Sequence, residues 1–198
     1  MHRPSAAMRK CLLWVACVGV TQPHMSAVLH AQRAVVTTSP APLVSEHARP
    51  RLFLAGSIES GRAVDWQQDV IRQLADVDVE ILNPRRADWD PAWKPELADS
   101  HFRQQVEWEL NALEAADVIV MYLAPETQSP ISLLELGLYA RSDRLIVLCP
   151  QGFWRKGNVD AVVARYGVQT VSSLPELAEA ARRKLAAVRT LVPAGDRR

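Results

Sequence analysis

The run Ser129-Pro130-Ile131-Ser132-Leu133-Leu134-Glu135-Leu136-Gly137-Leu138 sets one carboxylate among aliphatic side chains. At 3.6 residues per turn Ile131, Leu134, Glu135 and Leu138 share a face, so the spacing predicts a helix whose apolar stripe carries a charge inward. An unpaired buried carboxylate is costly, which leaves Glu135 paired with a cation such as Arg141, protonated, or engaged in chemistry. The chemistry open to it is nucleophilic attack or proton transfer. Thiols and imidazoles offer no rival. Cys11 and Cys17 precede the domain, Cys149 ends the apolar run from Leu145 and reads as a small buried hydrophobe, and the five histidines show no ligand spacing. No metal, cofactor or disulfide framework is expected.

The elements that must position Glu135 follow from apolar runs and their breaks. Leu52-Phe53-Leu54-Ala55 ending at Gly56, Val79 to Leu82 stopped by Asn83-Pro84, Val118 to Tyr122, Leu145 to Cys149 and a weaker Val168 to Val171 read as five buried strands. Helices are expected at about 64–75, from an N-cap at Ser100, and at about 131–141, 158–166 and 175–190. In the second of these, Phe102, Val106, Leu110 and Leu113 form the stripe that should face the sheet. Strands alternating with helices over short loops predict an α/β domain, a flavodoxin-like doubly wound parallel sheet of five strands with helices on both faces.

The domain is expected over residues 51–190, with 191–198 a disordered tail. Residues 1–50 read as a leader or disordered extension followed by a linker from Val35 to Pro50, which has three prolines and no period. Arg9-Lys10 before the apolar run Cys11 to Val20 has the form of a signal segment, and the acid-free stretch also suits a transit segment. A start at Met8 or Met25 is the alternative. A cytoplasmic location is expected for the domain.

Charge excludes other classes. The chain of 198 residues has 23 basic and 22 acidic groups, a formal net charge of +1. Four basic and no acidic residues precede Glu46, so the remainder is mildly acidic, with no footprint for nucleic acid or stable membrane association.

In an open parallel sheet, ligands bind beyond the carboxyl ends of the strands where strand order reverses. That rule selects Gly56-Ser57-Ile58 after the first strand, Asn83 to Arg86 after the second, and Ser129 leading into the helix of Glu135. Arg85 and Arg86 are expected to pair with Asp88 and Asp90, and Trp89 and Trp93 to pin their long loop. Trp66 and Trp108 are read as interface candidates. Asp117, at the start of its strand, falls on the opposite edge.

Phe53-Leu54-Ala55-Gly56-Ser57-Ile58-Glu59, Asp65-Trp66, Asn83-Pro84-Arg85-Arg86, Gln105-Val106-Glu107-Trp108-Glu109-Leu110, Ala116-Asp117 and the Ser129 to Gly137 run occur in an order that resembles the nucleoside 2-deoxyribosyltransferase-like family. The resemblance covers about residues 51 to 150. It implies that Glu135, followed by Leu-Gly, attacks the anomeric carbon of a nucleoside and holds the sugar as an ester, the logic of a retaining glycosidase. It implies a proton-handling acid eight residues before Asp117, which is Glu109, where the family usually has Asp. It implies a substrate cradle of Gly56, Ser57, Ile58, Asn83 and Ser129.

Ser129 stands where the transferases carry an Asp. There this chain is similar to related hydrolases that cleave nucleoside 5′-monophosphates, whose glycine-rich first loop also resembles Gly56 to Arg62. Transfer to a base and hydrolysis of (deoxy)nucleoside 5′-monophosphates therefore both stay open, beside a non-catalytic nucleotide-sensing module. The partner implied is a small nucleoside or nucleotide, and assembly into a homo-oligomer is implied by resemblance alone.

Overall fold

A computed structural model describes residues 33–44 and 49–191; the leader expected before residue 32 and the tail from 192 lie outside the described residues. Six parallel strands form one sheet: β1 (Val35–Thr38), β2 (Arg51–Gly56), β3 (Glu80–Asn83), β4 (Val118–Tyr122), β5 (Leu145–Leu148) and β6 (Gln169–Val171), in the order β1-β3-β2-β4-β5-β6. Strands β2 to β6 give the flavodoxin-like order, and the chain reverses direction across the sheet between β2 and β4. That switch point is where Gly56 and Tyr122 pair.

The sixth strand is β1, inside the segment expected to be a linker. Val35, Val36, Thr37 and Thr38 pair with Glu80 to Asn83 and cover the free edge of β3. Four half-polar residues on an outer strand carry little hydrophobic signal, which is why the composition of the segment reads as linker.

Alternation along the central strands divides the core. Leu52, Leu54, Ile81, Val118, Val120 and Ile146 face α1 (Trp66–Gln73) and α5 (Leu174–Leu191). Phe53, Leu82, Ile119, Met121 and Val147 face the other layer, which holds α2 (Ser100–Ala115), α3 (Pro130–Tyr139) and α4 (Lys156–Tyr166). Helix starts are fixed by capping acids: Asp65 accepts from the Gln68 N–H at 3.3 Å, and Asp99, not Ser100, accepts from the N–H groups of His101 and Phe102 at 3.0 Å each. Trp66 and Trp108 are core residues rather than interface residues. Trp66 is fully buried and donates to the Ser57 carbonyl at 3.0 Å, and Trp108 donates to the Ala41 carbonyl at 2.7 Å.

The two helices on the site side are rotated from the expected setting. On α2 the buried residues are Gln105, Trp108, Ala112 and Leu113, while Leu110 is exposed. On α3 they are Ser132, Glu135 and Leu136, while Ile131, Leu134 and Leu138 stand 60%, 62% and 59% exposed. α3 turns Ser132 and Glu135 inward, α2 turns Gln105 inward beside Trp108, Ala112 and Leu113, and each leaves aliphatic side chains outside.

Candidate active site

Glu135 lies in the second turn of α3, 8% exposed, on the side facing the switch point. Burial first, and the like charge of Glu109 second, push its carboxyl up to about 8. No hydrogen bond or ion pair reaches it among the described residues. Arg141, the cation named as its alternative partner, instead donates to the Tyr166 hydroxyl at 3.2 Å and stacks on that ring. Of the three states open to a carboxylate among apolar neighbours, ion pairing is therefore removed.

Glu109 reaches the same place from α2. The rotation of that helix sets Glu109 one turn beyond buried Gln105, whose Nε2 donates to Glu109 Oε1 at 2.9 Å. Burial pushes the Glu109 carboxyl up, and the bond from Gln105 opposes this. Gln105 is a hub: its Nε2 also donates to the Pro84 carbonyl at 2.9 Å, and its Oε1 accepts from the Ser39 hydroxyl at 2.6 Å and lies 3.5 Å from Arg86 Nη1. Arg86 grips Asp88 with two bonds of 2.7 and 2.8 Å and lies over the Trp93 ring, which stacks on His101 and meets Trp89 edge-on. The long loop is pinned by its own aromatics. Arg85 does not pair with Asp90; it donates to the carbonyls of Gly61, Ala63 and Val64 and so holds the β2–α1 loop down.

The β2 end contributes Gly56 with φ +132, where a Cβ would run into the backbone of Tyr122. The close approach that requires glycine is therefore made by β4. Ser57 is fully buried, and its hydroxyl lies 2.6 Å from that of Ser129 and 2.8 Å from that of Thr127 while accepting from the Ala124 N–H at 2.9 Å. The Ile58 carbonyl accepts from Gly61 and Ala63. Asn83 ends β3, and its Oδ1 accepts from the Arg85 N–H at 3.0 Å, a turn-forming bond. Ser57 and Ser129 thus meet directly, and Glu109 and Glu135 meet through charge; Asn83 is bound to its own turn. Asp117 accepts from the Arg51 N–H at 2.7 Å at the other edge, outside the site.

Two participants carry too weak a sequence signal to be singled out. Glu59, in a 3-10 turn at Glu59–Gly61, sets its Oε1 2.7 Å from the Ser129 nitrogen and 2.9 Å from the Gln128 nitrogen. Thr127 bonds both serines and the Ala124 carbonyl. An acid between Ile58 and Ser60 resembles any loop acid until α3 is placed beside it.

A hollow of about 430 Å³ opens elsewhere, between β5, β6 and α4. It holds none of the candidate residues. Its Lys156 and Asp160 pair with each other at 2.7 Å, and burial pushes the Cys149 thiol up to about 11, so it contains no free nucleophile. No group of three or more histidine, cysteine or acidic side chains among the described residues has the arrangement of a metal site, and no described helix is long and apolar enough to cross a membrane.

A doubly wound parallel sheet with a buried carboxyl group, Glu135, and a half-buried one, Glu109, beside it defines a class: an α/β protein with a carboxylate-pair site and no bound charge partner for the inner acid. The family model described as nucleoside 2-deoxyribosyltransferase like matches residues 49–153, and the chain belongs to that family. A solved structure, a conserved protein from Enterococcus faecalis V583, is similar at 18% identity with a TM-score of 0.49, over 69% of this chain and 99% of that one. No curated protein matches the sequence.

Proposed function

We propose that this protein is an N-glycosyl enzyme acting on nucleosides, which cleaves the glycosidic bond through a covalent glutamyl-sugar intermediate and transfers the sugar to a second base. The observation that carries this reading is the pair of carboxyl groups, Glu135 buried and Glu109 half-buried beside it, both pushed up, in a chain of this family. With Glu135 pushed up to about 8, a proton resides on the inner carboxyl at neutral pH. As the C1′–N bond lengthens, positive charge grows on the sugar and favours ionised Glu135, so the proton is released toward the departing base through Glu109. A Glu135 oxygen bonds C1′, the C1′–N bond breaks with its electron pair on the base nitrogen, and that nitrogen takes the proton. An incoming base then attacks C1′, the ester C–O pair returns to Glu135, and Glu109 accepts the proton of the newcomer. Gly56, Ser57, Ile58, Asn83 and Ser129 form the substrate cradle in this reading.

Water in place of the second base gives hydrolysis. The buried hydroxyls of Ser57 and Ser129 favour keeping nucleoside 5′-monophosphates in the test panel. The reading also includes self-association, with Ile131, Leu134 and Leu138 of α3 covered by a second copy, because three exposed aliphatic side chains on one helix face form a patch that soluble proteins usually cover.

The test is incubation with 2′-deoxynucleosides and their 5′-monophosphates, with and without free bases, following base release and exchange. Exchange by the wild type and none by Glu135→Ala is the expected result. Binding without turnover in any combination would favour a sensing module. A sugar ester trapped on a residue other than Glu135 would overturn the mechanism.

A further inference from the structure

We propose that Glu59 makes the site selective for sugars without a 5′-phosphate, by holding its own carboxylate at the place where a phosphate on the substrate would bind. This deepens the nucleoside reading above and rests on it.

The N-terminus of α3 presents backbone N–H groups and the positive end of the helix toward the switch point, which is how helices receive phosphates. In this chain the two N–H groups that lead into the helix, those of Gln128 and Ser129, are already taken. Glu59 Oε1 accepts from the N–H of Gln128 at 2.9 Å and of Ser129 at 2.7 Å, and lies 3.5 Å from the Ser129 hydroxyl. The remaining hydroxyls are committed as well, since Ser57, Thr127 and Ser129 bond one another at 2.6 to 3.1 Å.

The carboxylate is not on a free arm. Its loop is held by Arg85, which donates to the carbonyls of Gly61 and Ala63 at 2.9 Å each, and by the Trp66 bond to the Ser57 carbonyl. The nearest cation, Arg62, comes no closer than 4.0 Å and is 80% exposed, so it screens Glu59 only weakly and does not convert the position into a phosphate site.

Ser129, Ser132 and Glu135 are buried at successive steps of three along α3. The backbones of Ser129 and Glu135 are therefore about 9 Å apart, room for one pentose attacked at C1′ by Glu135 with its far end toward Ser129. An uncharged hydroxyl at that end can donate to Glu59. A phosphate there meets a fixed negative charge at short range in partly desolvated surroundings.

Wild type, Glu59→Gln and Glu59→Asp are compared on a 2′-deoxynucleoside and on its 5′-monophosphate. Glutamine keeps an acceptor oxygen for the two N–H groups and removes the charge; aspartate keeps the charge. Thermal melting first establishes that all three are folded. The wild type is expected to favour the nucleoside in kcat/KM by about 100-fold. Glu59→Gln is expected to cut that preference at least tenfold, with kcat/KM on the monophosphate rising, and Glu59→Asp to retain it. An unchanged ratio in Glu59→Gln, or a wild type that favours the monophosphate, overturns the proposal. If neither compound turns over, the N-glycosyl reading fails, and calorimetry with ribose and ribose 5-phosphate decides this one separately. Binding of the phosphorylated sugar gained by Glu59→Gln supports it; no difference between the proteins refutes it.

Discussion

Glu135→Gln preserves the shape of the side chain and removes its ability to ionise, so it isolates the electrostatic consequence of burying this carboxyl. The folded-state pKa is raised from 4.5 to about 8. Below pH 4.5 the group is protonated in both folded and unfolded chains and contributes nothing to the pH dependence. As pH climbs from there toward 8, the unfolded chain loses the proton while the folded one keeps it. The unfolded state then binds fewer protons, and stability falls by about 1.4 kcal/mol per pH unit. Across the whole window this amounts to roughly 5 kcal/mol, and relaxation around the newly charged group brings the observable difference to about 3 kcal/mol. Urea unfolding of both proteins at pH 5 and at pH 8.5 measures it. Glu135→Gln should gain about 3 kcal/mol on the wild type between the two conditions, because contributions from other titrating groups largely cancel in the comparison. An equal difference between the proteins at both pH values would show that Glu135 is not held protonated by its surroundings.

Other outcomes follow from single contacts. Gly56→Ala should lose more than about 2 kcal/mol in urea unfolding, since its Cβ would run into the Tyr122 backbone at the centre of the sheet; a loss within 0.5 kcal/mol, about that of a surface change, would contradict the close approach. Glu80→Ala strips the partner, at 2.8 Å, from the buried guanidinium of Arg51, and should cost about 3–5 kcal/mol with no direct contact to the site. Leu134→Glu on the exposed face of α3 should leave melting unchanged and shift sedimentation toward the monomer; an unchanged sedimentation profile would count against self-association through this face.

The central strands were legible in the sequence because strands buried on both faces of a parallel sheet must be apolar throughout, and Leu52 to Ala55, Val118 to Tyr122 and Leu145 to Leu148 are. The position proposed for the site rests on the topology those strands impose. What periodicity misjudged was helix rotation. It assigned Ile131, Leu134 and Leu138 to the interior, whereas α3 buries Ser132 and Glu135. It assigned Leu110 inward on α2, where Gln105 is buried instead. A hydrophobic-stripe argument presumes that every apolar face meets the core of its own domain and that polar groups prefer water. Around Glu109 and Glu135 the polar side chains satisfy one another or titrate, and the aliphatic face is left outside. Glu59 was illegible for another reason: its meaning depends on a loop 69 residues further along the chain.

Strand β1 bears on how the protein can be shortened. A minimal version cut at Arg51, where the motifs begin, would keep every residue that the resemblance names. It would also discard the Ser39 hydroxyl that donates to Gln105 Oε1. That bond, together with the Pro84 carbonyl and Arg86, holds the amide so that Gln105 offers Glu109 an N–H and not a carbonyl. Without it the shortest of these constraints is gone, and each excursion that brings the amide oxygen beside Glu109 repels its anion and holds the proton more tightly. In the proposed reaction the trimmed protein would keep its inventory but not the tuning of its acid, and its pH–rate profile is expected to move to higher pH through residues that touch no substrate.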